Sequence, residues 1–268
     1  MLHVKNPHSV LAALKSRPQD VLEIRLSSVR ESKDFKSVSE EGGDPWSQVV
    51  ALARKSGIPV ASAPKSSRGE GRSHFPRNSD PRSSGDLRAD DGRTSVTEAL
   101  LREKPPISLE ELLPESESEG SDGLWLALDQ LQDPQNVGSV FRSAAFFGVR
   151  GVIMTQDRSA ALTSAVYDVA CGGIEEVPFA IIPNLQRAFE VSKDRGLWIL
   201  GTSEHAKQSW DAVPRDRKWL LVLGNEEKGM RRLTAETCDM VCRIPPRGTG
   251  VTSLNVSVAA GVLISRLA

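Results

Sequence analysis

Three short stretches of this chain set polar and charged side chains beside glycines, in spacings that could bind a ligand and act on it. The first is Asn136-Val-Gly-Ser-Val-Phe-Arg142. Arg142 offers a planar fork of donors suited to phosphate or carboxylate, Asn136 is a natural helix cap, and Gly138 leaves room near the helix start. The second is Leu223-Gly-Asn-Glu-Glu-Lys-Gly229, a loop that offers backbone groups at Gly224, Asn225 and Gly229 together with one carboxylate, Glu226. The third runs from Ile244, Pro245 and Pro246 through Gly248 and Gly250 to Ser253, Leu254 and Asn255. Its prolines cannot extend a strand ladder, its glycines permit sharp turning against a ligand, and Ser253 or Asn255 can cap the helix that follows. Taken singly, each stretch also has a plain structural reading: a surface arginine on an amphipathic helix, a turn after a strand, a capped core helix.

Several familiar chemistries are excluded. The Gly224–Gly229 spacing resembles a phosphate-binding loop, but Met230 and Arg231 stand where that motif needs Lys and then Ser or Thr to reach phosphate and metal. No G-x-G-x-x-G follows the first strand of this region, which argues against a dinucleotide site. Cys171, Cys238 and Cys242 give no metal-ligand pattern, and buried thiols in a reducing compartment are the expectation. No metal is expected.

The elements that must position these stretches alternate strand and helix. Apolar runs predict strands at Leu124–Leu128, Gly151–Met154, Val177–Ile181, Leu197–Gly201, Trp219–Leu223 and Met240–Ile244. Helical patterns fit Val137–Phe147, Ala160–Cys171, Leu185–Lys193, Arg232–Glu236 and the final segment. The final helix is apolar on nearly every side, so burial on all faces is expected. Short apolar runs separated by helices imply an α/β fold, a parallel sheet with helices on both faces. Ligands bind at the carboxyl ends of the strands of such sheets, where all three stretches lie.

Upstream, residues 1–63 read as a small α/β domain, with helices at His8–Leu14 and Trp46–Ser56 and strands at Val21–Leu26 and Ile58–Ala61. Residues 64–123 read as a linker, with some order regained over Val96–Leu113. Pro64–Gly92 is mostly Ser, Arg, Gly, Asp and Pro, too poor in apolar side chains to offset its ordering entropy, and Glu115–Asp122 is an acidic, serine-rich hinge. Residues 124–268 then form the main domain. The formal net charge of −1 leaves any nucleic-acid site to a local patch. No apolar run approaches membrane-spanning length, and the N-terminus lacks a signal core, so a cytoplasmic protein is expected.

In combination, the three stretches identify the chain as resembling the SpoU family of RNA ribose 2′-O-methyltransferases in the SPOUT superfamily, over residues 124–268. The segment Pro7-His-Ser-Val-Leu-Ala-Ala-Leu14 resembles the start of the ribosomal-protein-L30-like substrate-binding domain of the branch that methylates a guanosine of large-subunit ribosomal RNA. Ile107–Leu113 resembles that branch's joining segment, whereas Arg93-Thr-Ser-Val96 and the long Ser/Arg insertion depart from its pattern. The resemblance implies a C-terminal trefoil knot, a homodimer formed through the catalytic domain, an RNA substrate, and S-adenosyl-L-methionine as cofactor. It places the cofactor against Gly201, Gly224, Asn225, Gly229, Ile244, Pro246, Ser253, Leu254 and Asn255. It assigns the chemistry to Arg142, Asn136, Glu226, Ser253 and Asn255, with Arg142 or Glu226 activating the hydroxyl. Transfer RNA as substrate, or a non-catalytic RNA-binding relative, is the alternative reading.

Overall fold

The computed structural model describes residues 1–27, 44–62, 96–113 and 123–268, so both the expected Ser/Arg-rich segment and the acidic hinge fall outside the described residues. The N-terminal unit opens with β1 (Leu2–Val4). Asn6 accepts a hydrogen bond from the His8 backbone N–H, and Pro7 takes the first helical position, where its missing N–H costs nothing. The resulting α1 (Pro7–Ser16) buries Ser9, Val10, Ala13 and Leu14. After β2 (Val21–Leu26), α2 (Pro45–Lys55) buries Trp46, Val49, Val50 and Ala53, a helical spacing that turns one apolar face inward. β3 (Val60–Ser62) then runs parallel to β2.

Within the expected 64–123 linker, the described residues 96–113 hold a strand and a short helix. Glu98–Leu101 forms β4, which lies between β1 and β2 and pairs antiparallel with both. Four residues are too short a run to stand out beside the adjoining polar stretch, and the partner strands lie far away in sequence. Ile107–Leu113 follows, containing α3 (Leu109–Leu112) with a reciprocal cap between Ser108 and Glu111. This segment is laid on the main domain: the Ile107 N–H donates to the Phe179 carbonyl, and the Trp125 indole N–H donates to the Leu112 carbonyl.

The main domain is a seven-stranded parallel sheet in the order β7-β6-β5-β10-β8-β11-β9. Its strands are β5 (Gly123–Leu128), β6 (Gly151–Thr155), β7 (Phe179–Ile182), β8 (Trp198–Thr202), β9 (Gln208–Ser209), β10 (Lys218–Leu223) and β11 (Met240–Arg243). Every strand expected from sequence in this region is present, and the two-residue β9 is additional. Helices α4 (Pro134–Phe147), α5 (Ser164–Ala170), α6 (Gly173–Glu176), α7 (Leu185–Asp194), α8 (Arg232–Thr237) and α9 (Val256–Leu267) complete the domain. β10 is buried along its whole length, as an interior parallel strand covered on both faces must be.

Two helix expectations change. The helix expected over Ala160–Cys171 starts at Ser164 and breaks where Cys171 and Gly172 turn left-handed, so α6 becomes a separate turn. Gly173 is needed there because a β-carbon would overlap the Phe141 carbonyl of α4. The room that Gly138 leaves near the helix start is taken up by α5, since a β-carbon on it would strike Val169 and the Val166 carbonyl. The final helix, α9, buries Ala260, Leu263, Ile264 and Leu267 in a single chain, yet Val258 is 51% exposed. Apolar composition all round therefore does not mean burial all round within one copy.

The two units are joined by polar contacts, the Arg17–Glu175 pair and the Ser9–Tyr167 bond among them buried. Arg17 forms a two-pronged ion pair with Glu175 on α6, at 2.8 and 2.7 Å, with both side chains out of solvent. Lys104 Nζ donates to the carbonyls of Ile174, Glu175 and Val177, capping the end of α6. The backbone N–H groups of Lys5 and Asn6 donate to the Asp168 carboxylate, and Ser9 Oγ donates to the Tyr167 carbonyl. Removing either partner of a buried pair leaves an uncompensated charge, so this joint resists separation. A chain cut at an engineered protease site within residues 63–95 is therefore expected to elute from size exclusion as one species. β4 would remain in the C-terminal piece while pairing with β1 and β2 of the other. Separate elution without denaturant would show that the sheet and the Arg17–Glu175 joint do not hold the units together.

Candidate active site

The register of the central strands brings three of the expected loops to one edge. Leu223 at the end of β10 pairs with Leu128 of β5, Val222 with Gly201 of β8, and Gly201 with Val241 of β11. The segments starting at Asp129, Gly224, Thr202 and Ile244 therefore leave the sheet side by side.

Asn136 does not cap its helix. Asp133 does, accepting from the Gln135 N–H at 2.8 Å, with Pro134 at the first helical position. Asn136 falls in the first turn, buried, with its amide free to reach sideways. Its Nδ2 donates to Glu226 Oε1 at 3.2 Å, and its Oδ1 accepts from Asn255 Nδ2 at 3.0 Å. Asn255 is the cap of α9, where its Oδ1 accepts from the Ser257 N–H at 2.8 Å. One buried amide thus links all three stretches, and both of its polar ends are satisfied.

Glu226 acts as a clasp. Its carboxylate accepts from the backbone N–H groups of Asp133 and Gln132 and from the amides of Asn136 and Asn225. Partial burial acts to raise its pKa, but its own N–H, the Asp133 N–H, the Asn136 amide and the Gln132 N–H outweigh this and hold it below the ordinary carboxylate value. A group whose folded pKa is depressed contributes stability above its unfolded pKa and loses it as pH falls through the folded value. The clasp is therefore closed at neutral pH and loosens only in acid.

The glycine loop is folded back on itself. Asn225 and Gly229 exchange backbone hydrogen bonds at 3.0 and 2.9 Å, Gly229 has φ +65°, and Asn225 Oδ1 accepts from the N–H groups of Glu227 and Lys228. A β-carbon on Gly224 would overlap the Met230 nitrogen and the Gly229 carbonyl carbon. Gly201 is closed on one side by Met230 and Cys238. Beyond this loop, the buried Asp129 carboxylate holds Arg231 through Nε and NH2 at 2.8 Å and accepts from Thr234 Oγ1. Asp129 is absent from the residues that the sequence points to; its signal there is an acid placed directly after an apolar strand.

The third stretch stands open. Pro246, Ser253 and Leu254 are exposed and Ile244 is half-buried. None of the backbone groups of residues 245–254 makes a hydrogen bond among the described residues. Ser253 has no side-chain polar partner there and is not part of the Asn136 network. Arg142, further along α4, is exposed and makes no hydrogen bond or ion pair among the described residues. Burial pushes the Cys238 thiol up to about 12 and the Cys242 thiol to about 11, so neither supplies a thiolate at neutral pH. Among the described residues, no three His, Cys, Asp or Glu side chains converge to hold a metal ion.

This arrangement can do three things. It can cradle a ligand on unpaired backbone groups and apolar side chains at the third stretch, grip an anion with Arg142, and hold the two in fixed relation through Asn136. Residues 123–265 match the family described as the SpoU rRNA Methylase family. The chain is 46% identical over 156 residues to the 23S rRNA (guanosine-2′-O-)-methyltransferase RlmB of Pseudomonas aeruginosa, a match covering 58% of this chain and 61% of that protein. It is 34% identical over 263 residues to the RlmB protein of Pseudomonas putida, covering 96% of this chain and 92% of that one. Among solved structures, the SpoU methyltransferase AviRb of Streptomyces viridochromogenes, in complex with AdoMet, shares the fold with a TM-score of 0.68 at 18% identity, over 99% of this chain and 88% of that one.

Proposed function

Since the chain belongs to the SpoU rRNA methylase family, we propose that it methylates a ribose 2′-hydroxyl in RNA, using S-adenosyl-L-methionine, with a guanosine of large-subunit ribosomal RNA as the acceptor. The observation that carries the reading is the Asn255–Asn136–Glu226 chain, centred on the buried Asn136 amide, which ties the three stretches into one site. The acceptor follows the relatives' names, in particular the relative matched over 96% of this chain.

The residues present fit the cofactor. Backbone groups of 245–254 have no hydrogen-bond partner among the described residues, and Leu254 lies 48% exposed beside them, which suits an adenine held by main-chain hydrogen bonds against an apolar wall. Ile244, Pro246, Ser253, Leu254 and Asn255 would hold it from the third stretch, and Gly224, Asn225 and Gly229 from the second, with Gly201 bordering them. When bound, the cofactor supplies a methyl group on a positively charged sulfur, open to displacement by an oxygen nucleophile.

The chain's own residues supply alignment and charge. Arg142 donates to an adjacent phosphate and to the acceptor oxygen as negative charge develops on it. A guanidinium donates hydrogen bonds rather than accepting a proton, so its part is electrostatic, and the proton of the acceptor hydroxyl passes to solvent water. Glu226 keeps its lone pairs engaged with four donors, so its role is to hold the loops and orient Asn136. Asn136 and Asn255 fix the distance between cofactor stretch and arginine, which is where rate is gained when two reactants must be aligned.

A second copy of the chain would complete the site's surroundings. Phe146 is 82% exposed, Phe147 39% and Val258 51%, all on the paired helices α4 and α9. Aromatic and apolar side chains gathered on one exposed helix pair suit burial against a twin surface. The decisive assay incubates the purified protein with S-adenosyl-L-methionine carrying a labelled methyl group and unmodified large-subunit ribosomal RNA, then maps 2′-O-methyl sites. Label at one guanosine ribose is expected. Label on transfer RNA alone would reassign the substrate, and no transfer to either, with cofactor bound, would favour a non-catalytic RNA-binding role.

A further inference from the structure

Arg158 stands in the loop after β6 with φ +56°, in the left-handed region that side chains bearing a β-carbon seldom adopt. Among the described residues only Gln130 and Cys171 share this feature outside glycine. Cys171 closes a helix, an ordinary place for it. Gln130 is in the loop after β5, where its carbonyl accepts from Asn225 Nδ2 at 2.9 Å. β5 and β6 are neighbours, with Leu128 opposite Met154. Two left-handed residues therefore flank the same sheet edge as the Asn136 network.

The Arg158 loop is pinned without help from Arg158. The Gln156 N–H donates to the Ile182 carbonyl, Thr155 and Ser159 hydroxyls meet at 2.6 Å, and the Ala160 N–H donates to the Leu131 carbonyl in the β5 loop. The last bond ties the loop directly to the segment that leads into α4. Arg158 itself is exposed, and its guanidinium makes no ion pair or hydrogen bond among the described residues, with neighbouring Asp157 included. A left-handed position filled by arginine carries a backbone strain that glycine would not. Nothing the side chain does within the described residues compensates for that.

We infer that Arg158 is an RNA-binding residue, holding a backbone phosphate of the substrate at the β6 side of the site while Arg142 serves the acceptor nucleotide. The inference rests on the proposed RNA-methylating function. A strained residue on a pinned loop directs its side chain more reproducibly than one on a free loop, which is what register along an RNA strand requires.

Arg158→Gly separates the two roles, because glycine accepts φ +56° freely while removing the guanidinium. Binding of unmodified large-subunit ribosomal RNA would be measured at several salt concentrations for the wild type, Arg158→Gly and Arg158→Lys. Melting temperature, cofactor affinity and the split of kcat and KM would be read in parallel. Arg158→Gly is expected to melt within a few degrees of the wild type and to bind cofactor normally. Its RNA affinity should be about tenfold weaker, the loss of one charge-assisted contact. The slope of log affinity against log salt should be shallower by roughly 0.7–0.9. The loss should appear in KM with kcat nearly unchanged, and Arg158→Lys should restore most of the salt slope. Unchanged RNA affinity and slope in Arg158→Gly would overturn the inference and leave Arg158 a solvated loop residue. RNA binding needs no methyl transfer, so a wild type that binds RNA but transfers nothing would count against the proposed activity and not against Arg158.

Discussion

Arg142→Ala is expected to lower single-turnover methyl transfer by on the order of 10²-fold or more, as removal of a transition-state donor does, while cofactor affinity measured by calorimetry stays near the wild-type value. The separation follows from topology. Arg142 is on α4, whereas the proposed cofactor contacts leave β8, β10 and β11. The side chain is exposed and bonded to nothing among the described residues, so its removal disturbs no packing and no partner there. An interaction made mainly as charge develops lowers turnover more than substrate affinity, so kcat should carry most of the loss. Arg142→Lys should recover little, because one ammonium cannot reach phosphate and ribose oxygen together as a planar fork does. If Arg142→Ala turned over near normally, the base would have to be sought at Glu226, although four donors already occupy that carboxylate. Glu226→Gln would then be the variant to measure.

What the sequence makes legible is whatever depends on local pattern. The strands of the main sheet are short apolar runs, and Trp219 to Leu223 is unbroken and apolar from end to end. The grouping of Asn136, Glu226 and Asn255 at one edge follows from placing each after a strand, and hydrogen bonds join those three in the structure. What stays hidden depends on partners distant in sequence. β4 is four residues whose mates lie in β1 and β2, so its membership of the small sheet is visible only once the chain has folded. The role of Asn136 is hidden for a related reason. Asp133 and Pro134 start the helix earlier than a cap at Asn136 would, and only then is its amide free to bridge Glu226 and Asn255. Gly138 and Gly173 are legible as glycines but not as the contact points of α4 with α5 and α6, because the neighbour that crowds each comes from another helix. Arg158 carries no signal at all, since a left-handed backbone leaves no mark in residue type unless glycine or asparagine fills it.

Gly224→Ala should have the second large effect, acting through the loop rather than through any polar group. The added methyl group would overlap the Met230 nitrogen and the Gly229 carbonyl carbon, both backbone atoms that cannot rotate away. The hairpin closed by the Asn225–Gly229 exchange would have to open, and Glu226 would leave the Gln132 and Asp133 N–H groups it now clasps. Asn136 would then lose one of its two partners in a buried setting, a further cost of about 1–3 kcal/mol. Cofactor affinity is therefore expected to fall by roughly 10²-fold, equivalent to about 2.7 kcal/mol, and transfer to fall with it. Gly229→Ala is the control. It lies in the same loop at φ +65°, but nothing stands within 4 Å of its β-carbon position, so only the left-handed strain of about 1–2 kcal/mol applies. Its cofactor affinity should stay within a few-fold of the wild type, with a lowered melting temperature as the main effect. Calorimetric titration of S-adenosyl-L-methionine into both variants decides the matter. Equal loss in the two would mean that an added methyl group anywhere in the loop obstructs the ligand, and that the crowding at Gly224 is not what keeps the site in shape.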